Sequence, residues 1–207
     1  MSDEAERPQI YLLTPPSFDL DVFPGLLARV LDAVDVACLR LTLATRDEDA
    51  WGRAADAVRA VAHERDVAVV IDSHLRLVER HGLDGVHLPN GAHDVRQARK
   101  DLGADAIVGA FCGTTRHEGL GAGEAGADYV SFGPVGETTL GSGARVGLDL
   151  FAWWSEMVEV PVVAEGALDE ALIRTLAPMT DFFALGEEIW KTEDPVAALL
   201  AFEKAMS

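Results

Sequence analysis

The feature that most constrains the fold is a regular alternation of short apolar runs with segments of helical periodicity. The apolar runs show little alternation of polar and apolar residues, which is typical of parallel strands buried on both faces. Eight such runs are predicted as strands: Gln9–Leu13, Val36–Leu41, Val67–Ile71, Gly85–Leu88, Ala106–Phe111, Asp128–Phe132, Pro161–Ala164 and Phe182–Leu185.

Eight helices are predicted between and after these strands. Thr45 with Glu48, and Thr115 with Glu118, have the spacing of a capping box, and Pro195 suits a first helical position. The predicted helices cover 21–34, 45–63, 75–80, 94–102, a segment beginning at 115, 148–158, 169–176 and a last segment beginning at 194.

This alternation predicts an α/β fold, a single (β/α)8 TIM barrel that occupies residues 1–207 as one domain. The alternative is an open, doubly wound sheet. No G-x-G-x-x-G motif follows the first strand, which continues as LLTPPSFD, so the usual mark of a dinucleotide-binding fold is missing.

Charge and composition narrow the class of partner. The formal net charge is −18, from 35 acidic and 17 basic residues, which argues against nucleic acid and against an anionic membrane surface. No apolar run approaches the roughly 20 residues of a membrane span. The polar start MSDEAERPQ does not resemble a signal peptide. We therefore expect a cytoplasmic protein with a small-molecule ligand; a homo-oligomer is left open.

The carboxyl ends of the strands select the candidate catalytic residues, because active sites of such barrels lie there. Arg40 would anchor an anion or form a buried ion pair, for which Asp72 is a candidate partner. His87 would be a general acid or base, or a core histidine. Asp72 and Glu165 would act as a carboxylate pair, or would each bind nearby backbone N–H groups.

The candidate binding residues lie on the sixth strand, on the loop after it and after the last two strands. Hydroxyl groups and backbone N–H groups near glycine can bind phosphate oxygens, and an arginine adds a positive charge. The candidates are Ser131, Thr138, Thr139, Arg145, Gly166 and Gly186. Glu187 conflicts with this interpretation, since a carboxylate beside Gly186 would repel phosphate.

Several motifs together resemble one known family. GADYVSFGPV, GVHL after VVIDSHLRL, PVVAEGAL and the CLRL strand are similar to thiamine phosphate synthase and its relative, the thiazole tautomerase TenI. The likeness runs from about Ile10 to Ile189. It implies a (β/α)8 barrel in thiamin biosynthesis. The synthase joins a hydroxymethylpyrimidine diphosphate to a thiazole phosphate and releases diphosphate with the help of Mg²⁺.

Carried over residue by residue, the resemblance implies roles for few positions. Arg40 matches the arginine of the family's second strand and would face the pyrimidine diphosphate. Thr138 matches a threonine of the diphosphate loop. Gly166 and Gly186 would face the thiazole phosphate.

At other family positions, the side chains that bind metal or diphosphate are replaced in this sequence. The two magnesium aspartates fall on Ser73 and near Ala92, and the lysine of the diphosphate loop falls on Gly141. The tautomerase histidine falls near Gly113. We therefore expect no metal ligands at the family position, and a synthase-like barrel with an eroded diphosphate site. The alternatives are a barrel that binds a small ligand without turnover and an enzyme with different, metal-free chemistry.

Overall fold

The computed structural model describes residues 7–138 and 143–207. Eight parallel strands pair in chain order, and β1 pairs with β8, so the sheet closes into a barrel. The strands are β1 (Gln9–Leu13), β2 (Val36–Leu41), β3 (Ala68–Asp72), β4 (Gly85–Leu88), β5 (Ile107–Phe111), β6 (Tyr129–Phe132), β7 (Val162–Glu165) and β8 (Phe182–Leu185). The predicted (β/α)8 barrel is confirmed.

Helices follow the strands and cover the outside of the barrel. They are α1 (Phe23–Ala33), α2 (Glu48–His63), α3 (Leu75–His81), α4 (Val95–Leu102), α5 (Arg116–Ala125), α6 (Leu148–Met157), α7 (Glu170–Leu176), α8 (Glu187–Trp190) and α9 (Pro195–Ala205). A 3₁₀ turn, Ala177–Met179, follows α7. None of the described helices is long and apolar enough to cross a membrane.

The helix ends test the predicted caps. Thr115 caps α5 as predicted, because its hydroxyl accepts from the Glu118 N–H. Thr45 does not cap α2. The cap is Asp47, whose carboxylate accepts from the Asp49 N–H. The hydroxyl of Thr45 accepts from the Asp47 N–H, in the turn before the helix. The short helix α8 was not predicted, since four residues cannot show a helical period.

The core has two layers. The larger one lies between the outer face of the sheet and the helices and includes Trp154, Phe132 and Leu27, all almost completely buried. The smaller one fills the barrel interior with Tyr11, Cys38, Val70, Tyr129, Val163 and Ala184. Because strand side chains alternate between faces, the inward residues two positions later lie at the carboxyl end of the barrel. This places Arg40, Asp72, Ser131 and Glu165 in one layer above the interior core.

Candidate functional site

Three charged side chains meet at the carboxyl end of the barrel, which we call the mouth. The Nη1 atom of Arg40 donates to Oε2 of Glu165 at 3.1 Å. The Nε atom of Arg40 lies 3.5 Å from Oδ1 of Asp72. Arg40 is 7% exposed, so one buried cation is held between two carboxylates from β3 and β7. The sequence-based pairing of Arg40 with Asp72 thus extends to a triad with Glu165.

Burial and charge act against each other within this triad. Burial by itself lowers the pKa of Arg40, but Glu165, Tyr11 and Asp72 outweigh it and the net pKa is raised. Burial raises the pKa of Asp72, while Arg40 acts in the opposite direction. The guanidinium therefore stays charged, and much of its charge is already balanced before a ligand arrives.

A chain of hydrogen bonds lies one layer below the mouth. The hydroxyl groups of Tyr11 and Tyr129 are 2.6 Å apart, and the Tyr129 hydroxyl lies 2.9 Å from Nδ1 of His87. Burial, and secondarily the charge of Arg40, lower the pKa of His87 well below its ordinary value. A neutral His87 at the end of a tyrosine chain can orient Tyr129. The sequence analysis missed both tyrosines, although Tyr129 stands two positions before Ser131 on its strand.

Two residues near the carboxyl ends of β5 and β6 are closed to solvent, Ser131 on the inner face of the sheet and Cys112 in the outer core. Ser131 is completely buried, and its Oγ has no hydrogen-bond partner among the described residues. Cys112, just after β5, is also buried, and this burial raises the pKa of its thiol to about 12. Cys112 is therefore a core residue rather than a nucleophile.

A cleft of about 760 Å³ opens beside the triad, above β1, β7 and β8. Its lining is strongly acidic, because four carboxylates and a single lysine contribute. The charged lining residues are Glu137, Glu165, Glu187, Glu188 and Lys191. Lys191 is itself paired with Glu187. Both predicted glycines, Gly166 and Gly186, lie in this lining.

The wall of the cleft is built by contact between two loops. The Val135 N–H donates to the Glu165 carbonyl, and the Gly136 N–H donates to the Gly166 carbonyl, each at 3.0 Å. Gly166 has φ +91°, a left-handed conformation that favours glycine. At the other end of the loop, the Val146 N–H donates to the Pro134 carbonyl at 2.9 Å. The start and end of this loop are therefore anchored to β7 and to each other.

The predicted loop donors have different positions. Thr138 is exposed and lines the cleft. Arg145 is exposed, and its Nη1 lies 3.3 Å from Oε1 of Glu137, so its charge also has a partner. Thr139 lies outside the described residues.

The acidic residue that conflicts with a phosphate near Gly186 is Glu188 rather than the predicted Glu187. Glu187 points to solvent and pairs with Lys191. The next residue, Glu188, turns inward and accepts from the Gly186 N–H at 3.0 Å and from the Leu168 N–H at 3.2 Å. The sequence analysis missed Glu188, because two adjacent glutamates give no signal of which one faces the barrel.

The residues at the family's magnesium position do not fit that ion. Mg²⁺ takes oxygen ligands, usually carboxylates together with substrate phosphates. Ser73 offers no carboxylate, and Asp72 is held by Arg40. Asp94, two residues after Ala92, lies 2.6 Å from the ring of His93. Over residues 7–138 and 143–207, no three His, Cys, Asp or Glu side chains converge so as to hold a metal ion.

Comparison with known proteins agrees with the barrel. A family model described as thiamine monophosphate synthase matches residues 10–187. Thiamine-phosphate synthase of Rhodospirillum centenum is 39% identical over 201 residues, which cover 96% of this chain and 97% of that protein. Thiamine-phosphate synthase of Hyphomonas neptunium is 38% identical and covers 98% of this chain and 96% of its own length.

Among solved structures, thiamine phosphate pyrophosphorylase from Pyrococcus furiosus superposes with a TM-score of 0.82. It is 21% identical and covers 96% of this chain and 95% of its own, so it supports the fold. The sequence matches extend over every strand that contributes to the mouth. The chain therefore belongs to the thiamine monophosphate synthase family.

Proposed function

We propose that this protein is a thiamine phosphate synthase, which joins a pyrimidine diphosphate to a thiazole phosphate. The observation that carries the proposal is the full-length similarity to curated synthases, since it spans all the strands that form the mouth. The cleft of about 760 Å³ supports it, because this size suits a ligand with two small rings.

The proposed step is a substitution at the pyrimidine methylene carbon. The thiazole nitrogen forms a bond to this carbon, the bond to the diphosphate oxygen breaks, and diphosphate leaves with the electron pair. The thiazole nitrogen becomes positively charged. Arg40 would face the departing diphosphate, while Glu165 and Asp72 would stabilise positive charge near the mouth. His87 would act as a positioning residue through Tyr129.

The thiazole would lie in the cleft near Gly166 and Gly186, and Thr138 and Arg145 would contact the diphosphate from the loop. Because Arg40 and Arg145 already have carboxylate partners, the diphosphate competes for each of them. We infer that the diphosphate site is weaker than in a barrel with unpaired cations.

Metal binding by the free protein tests this erosion directly. We expect calorimetric titration with Mg²⁺ alone to show weak binding or none, since Ser73 and Ala92 supply no carboxylate. Tight binding that is abolished by Asp72→Ala or Asp94→Ala would contradict the expectation.

A second candidate is a barrel that binds a cationic, thiamin-related ligand without turnover. The observation that favours it is the acidic cleft, with four carboxylates and one paired lysine. A thiazolium ring would be attracted by this lining, whereas a diphosphate would be repelled.

The two candidates differ in turnover. The protein is incubated with pyrimidine diphosphate, thiazole phosphate and Mg²⁺, and formation of thiamin phosphate and diphosphate is measured. The synthase proposal expects both products in equal amounts, with loss in Arg40→Ala and little change in Arg174→Ala, which removes an exposed arginine of α7. If no product forms but thiamin raises the melting temperature, the binding protein is favoured.

A further inference from the structure

The carboxylate of Glu188 bridges two loops at the inner end of the cleft. One oxygen accepts from the Leu168 N–H, which follows β7, and the other accepts from the Gly186 N–H, which follows β8. Leu168 and Gly186 are buried, and Glu188 is half-buried in the cleft lining. A negatively charged side chain of the protein therefore uses backbone donors from both loops at once.

The same loops are where barrels of this type commonly bind a ligand phosphate. A phosphate at this end would need the same N–H donors, and it would place further negative charge beside the carboxylate. Both effects oppose joint occupancy, because like charges at a few ångströms repel strongly in a partly buried site. Phosphate and the bridging Glu188 carboxylate therefore exclude each other.

We propose that Glu188 is a specificity-determining residue, an internal anion that holds the phosphate position of the cleft until a phosphate-bearing substrate displaces it. The identity of that substrate as a thiazole phosphate rests on the proposed function. Displacement requires rotation of one side chain toward the open cleft. Glu188 therefore weakens the binding of the phosphate ester and has little effect on the uncharged thiazole alcohol.

Glu187 provides a matched control. It is the same residue type in the same cleft and carries the same charge, but it is exposed and pairs with Lys191 instead of backbone donors. Glu187→Gln and Glu188→Gln change the net charge equally. A difference between them therefore reports the bridging position and not the overall field.

The first measurement is calorimetric titration of wild type, Glu188→Gln and Glu187→Gln with thiazole phosphate and with the thiazole alcohol. We expect Glu188→Gln to bind the phosphate ester roughly tenfold more tightly than wild type, since a charged acceptor no longer competes. The alcohol should bind all three proteins alike, and Glu187→Gln should change the affinity for the ester by less than about threefold. An ester affinity in Glu188→Gln no greater than in Glu187→Gln would overturn the role of Glu188.

The second measurement uses inorganic phosphate as the probe and does not depend on the proposed function. Glu188→Ala should melt several degrees below wild type, because two N–H groups lose their acceptor. Phosphate should raise its melting temperature more than that of wild type at equal ionic strength. No such rescue would overturn the role of Glu188.

The outcomes separate the two ideas. If neither thiazole compound binds any variant while phosphate rescues Glu188→Ala, the proposed function is wrong and the role of Glu188 stands. If both compounds bind but Glu188→Gln gains nothing for the ester, the proposed function stands and the role of Glu188 is wrong.

Discussion

Arg40 is the residue on which the charge balance of the mouth depends. It is almost completely buried, and it has one carboxylate on each side, from β3 and β7. Replacing a buried ion pair by apolar groups is often tolerated, whereas removing one partner leaves the other charge uncompensated. Removing the charge of Arg40 alone should therefore destabilise the protein much more than removing all three charges of the triad.

We expect Arg40→Met to reduce the free energy of unfolding by about 3 kcal/mol, the lower end for a buried pair, because Asp72 and Glu165 would remain half-buried without a counter-charge. The same change in an Asp72→Asn, Glu165→Gln background should cost much less. Arg174→Met, which removes an exposed i,i+4 pair with Glu170, should cost about 0.5 kcal/mol or less. Urea unfolding followed by circular dichroism measures all of these, and equal losses in both backgrounds would refute the coupling.

The burial of His87 leads to a prediction about how the stability of the protein depends on pH. Its pKa in the folded protein is lowered, so below about pH 6.5 the unfolded chain takes up a proton that the native protein does not. Unfolding free energy should therefore be fully retained above this pH and should fall as pH drops, by up to about 1.4 kcal/mol per unit from this group.

The measurement is denaturant unfolding between pH 8 and pH 5 in wild type, His87→Asn and His117→Gln. Asp72 has a raised pKa, so its protonation in the folded protein adds stability as pH falls, opposite to the effect of His87. The quantity to compare is therefore the difference in pH slope between wild type and each variant. His87→Asn should lose most of the slope, and His117→Gln, at an exposed position of α5, should keep it. Identical slopes in all three proteins would refute the assignment.

At the scale of elements, the loop after β6 is fitted to the end of β7. A Cβ atom on Gly136 would lie 1.8 Å from the carbonyl oxygen of Ala167, which is far inside van der Waals contact. Gly136→Ala should therefore push the loop away from β7 and cost about 1–3 kcal/mol of stability, as overpacking does.

Gly25 supplies the control for that change. It lies in helix α1, and a Cβ atom there would have no neighbour within 4 Å. Gly25→Ala should be neutral or should stabilise the protein by about 0.5–1 kcal/mol through helix propensity. Melting temperatures of the two variants test the pair, and equal effects would mean that the contact between the loop and β7 contributes nothing.

Sequence periodicity could predict the elements of the barrel but not the partners across it. Four strands, β1, β2, β4 and β8, have the predicted bounds, because apolar runs between polar turns mark buried parallel strands directly. Helix α8 was missed, since it is shorter than two turns. The role of Glu188, which lies in this helix, was therefore not predicted either. Its contacts with Leu168 and Gly186 depend on how the loops after β7 and β8 approach each other in space.

Contacts between residues inside the barrel were likewise not predictable from sequence periodicity. The rule that strand ends carry function found Arg40, Asp72 and Glu165 without knowledge of their distances. The Tyr11–Tyr129–His87 chain was missed, because its residues are separated by up to 118 positions and only the closure of the sheet brings them together. Long-range hydrogen bonding leaves no periodic signal in a single sequence.

For the whole molecule, the net charge of −18 and the acidic cleft both oppose the approach of an anionic substrate. Arg40, Arg145 and Lys191 each face a carboxylate, so little positive potential is left to attract an anion. An anionic substrate is then repelled at long range before it reaches the mouth. Salt reduces this repulsion, because the screening length is only about 10 Å at 0.1 M ionic strength.

We therefore expect the KM for the pyrimidine diphosphate to fall as NaCl is raised from about 20 to about 200 mM at constant free Mg²⁺, by roughly two- to fivefold. Binding of the neutral thiazole alcohol should not change over this range. Glu137→Gln combined with Glu187→Gln should lower the KM at low salt and flatten its salt dependence, since both exposed carboxylates line the cleft. A KM that rises with salt would instead show that unpaired cations dominate the approach of the substrate, contrary to the pairing of Arg40, Arg145 and Lys191.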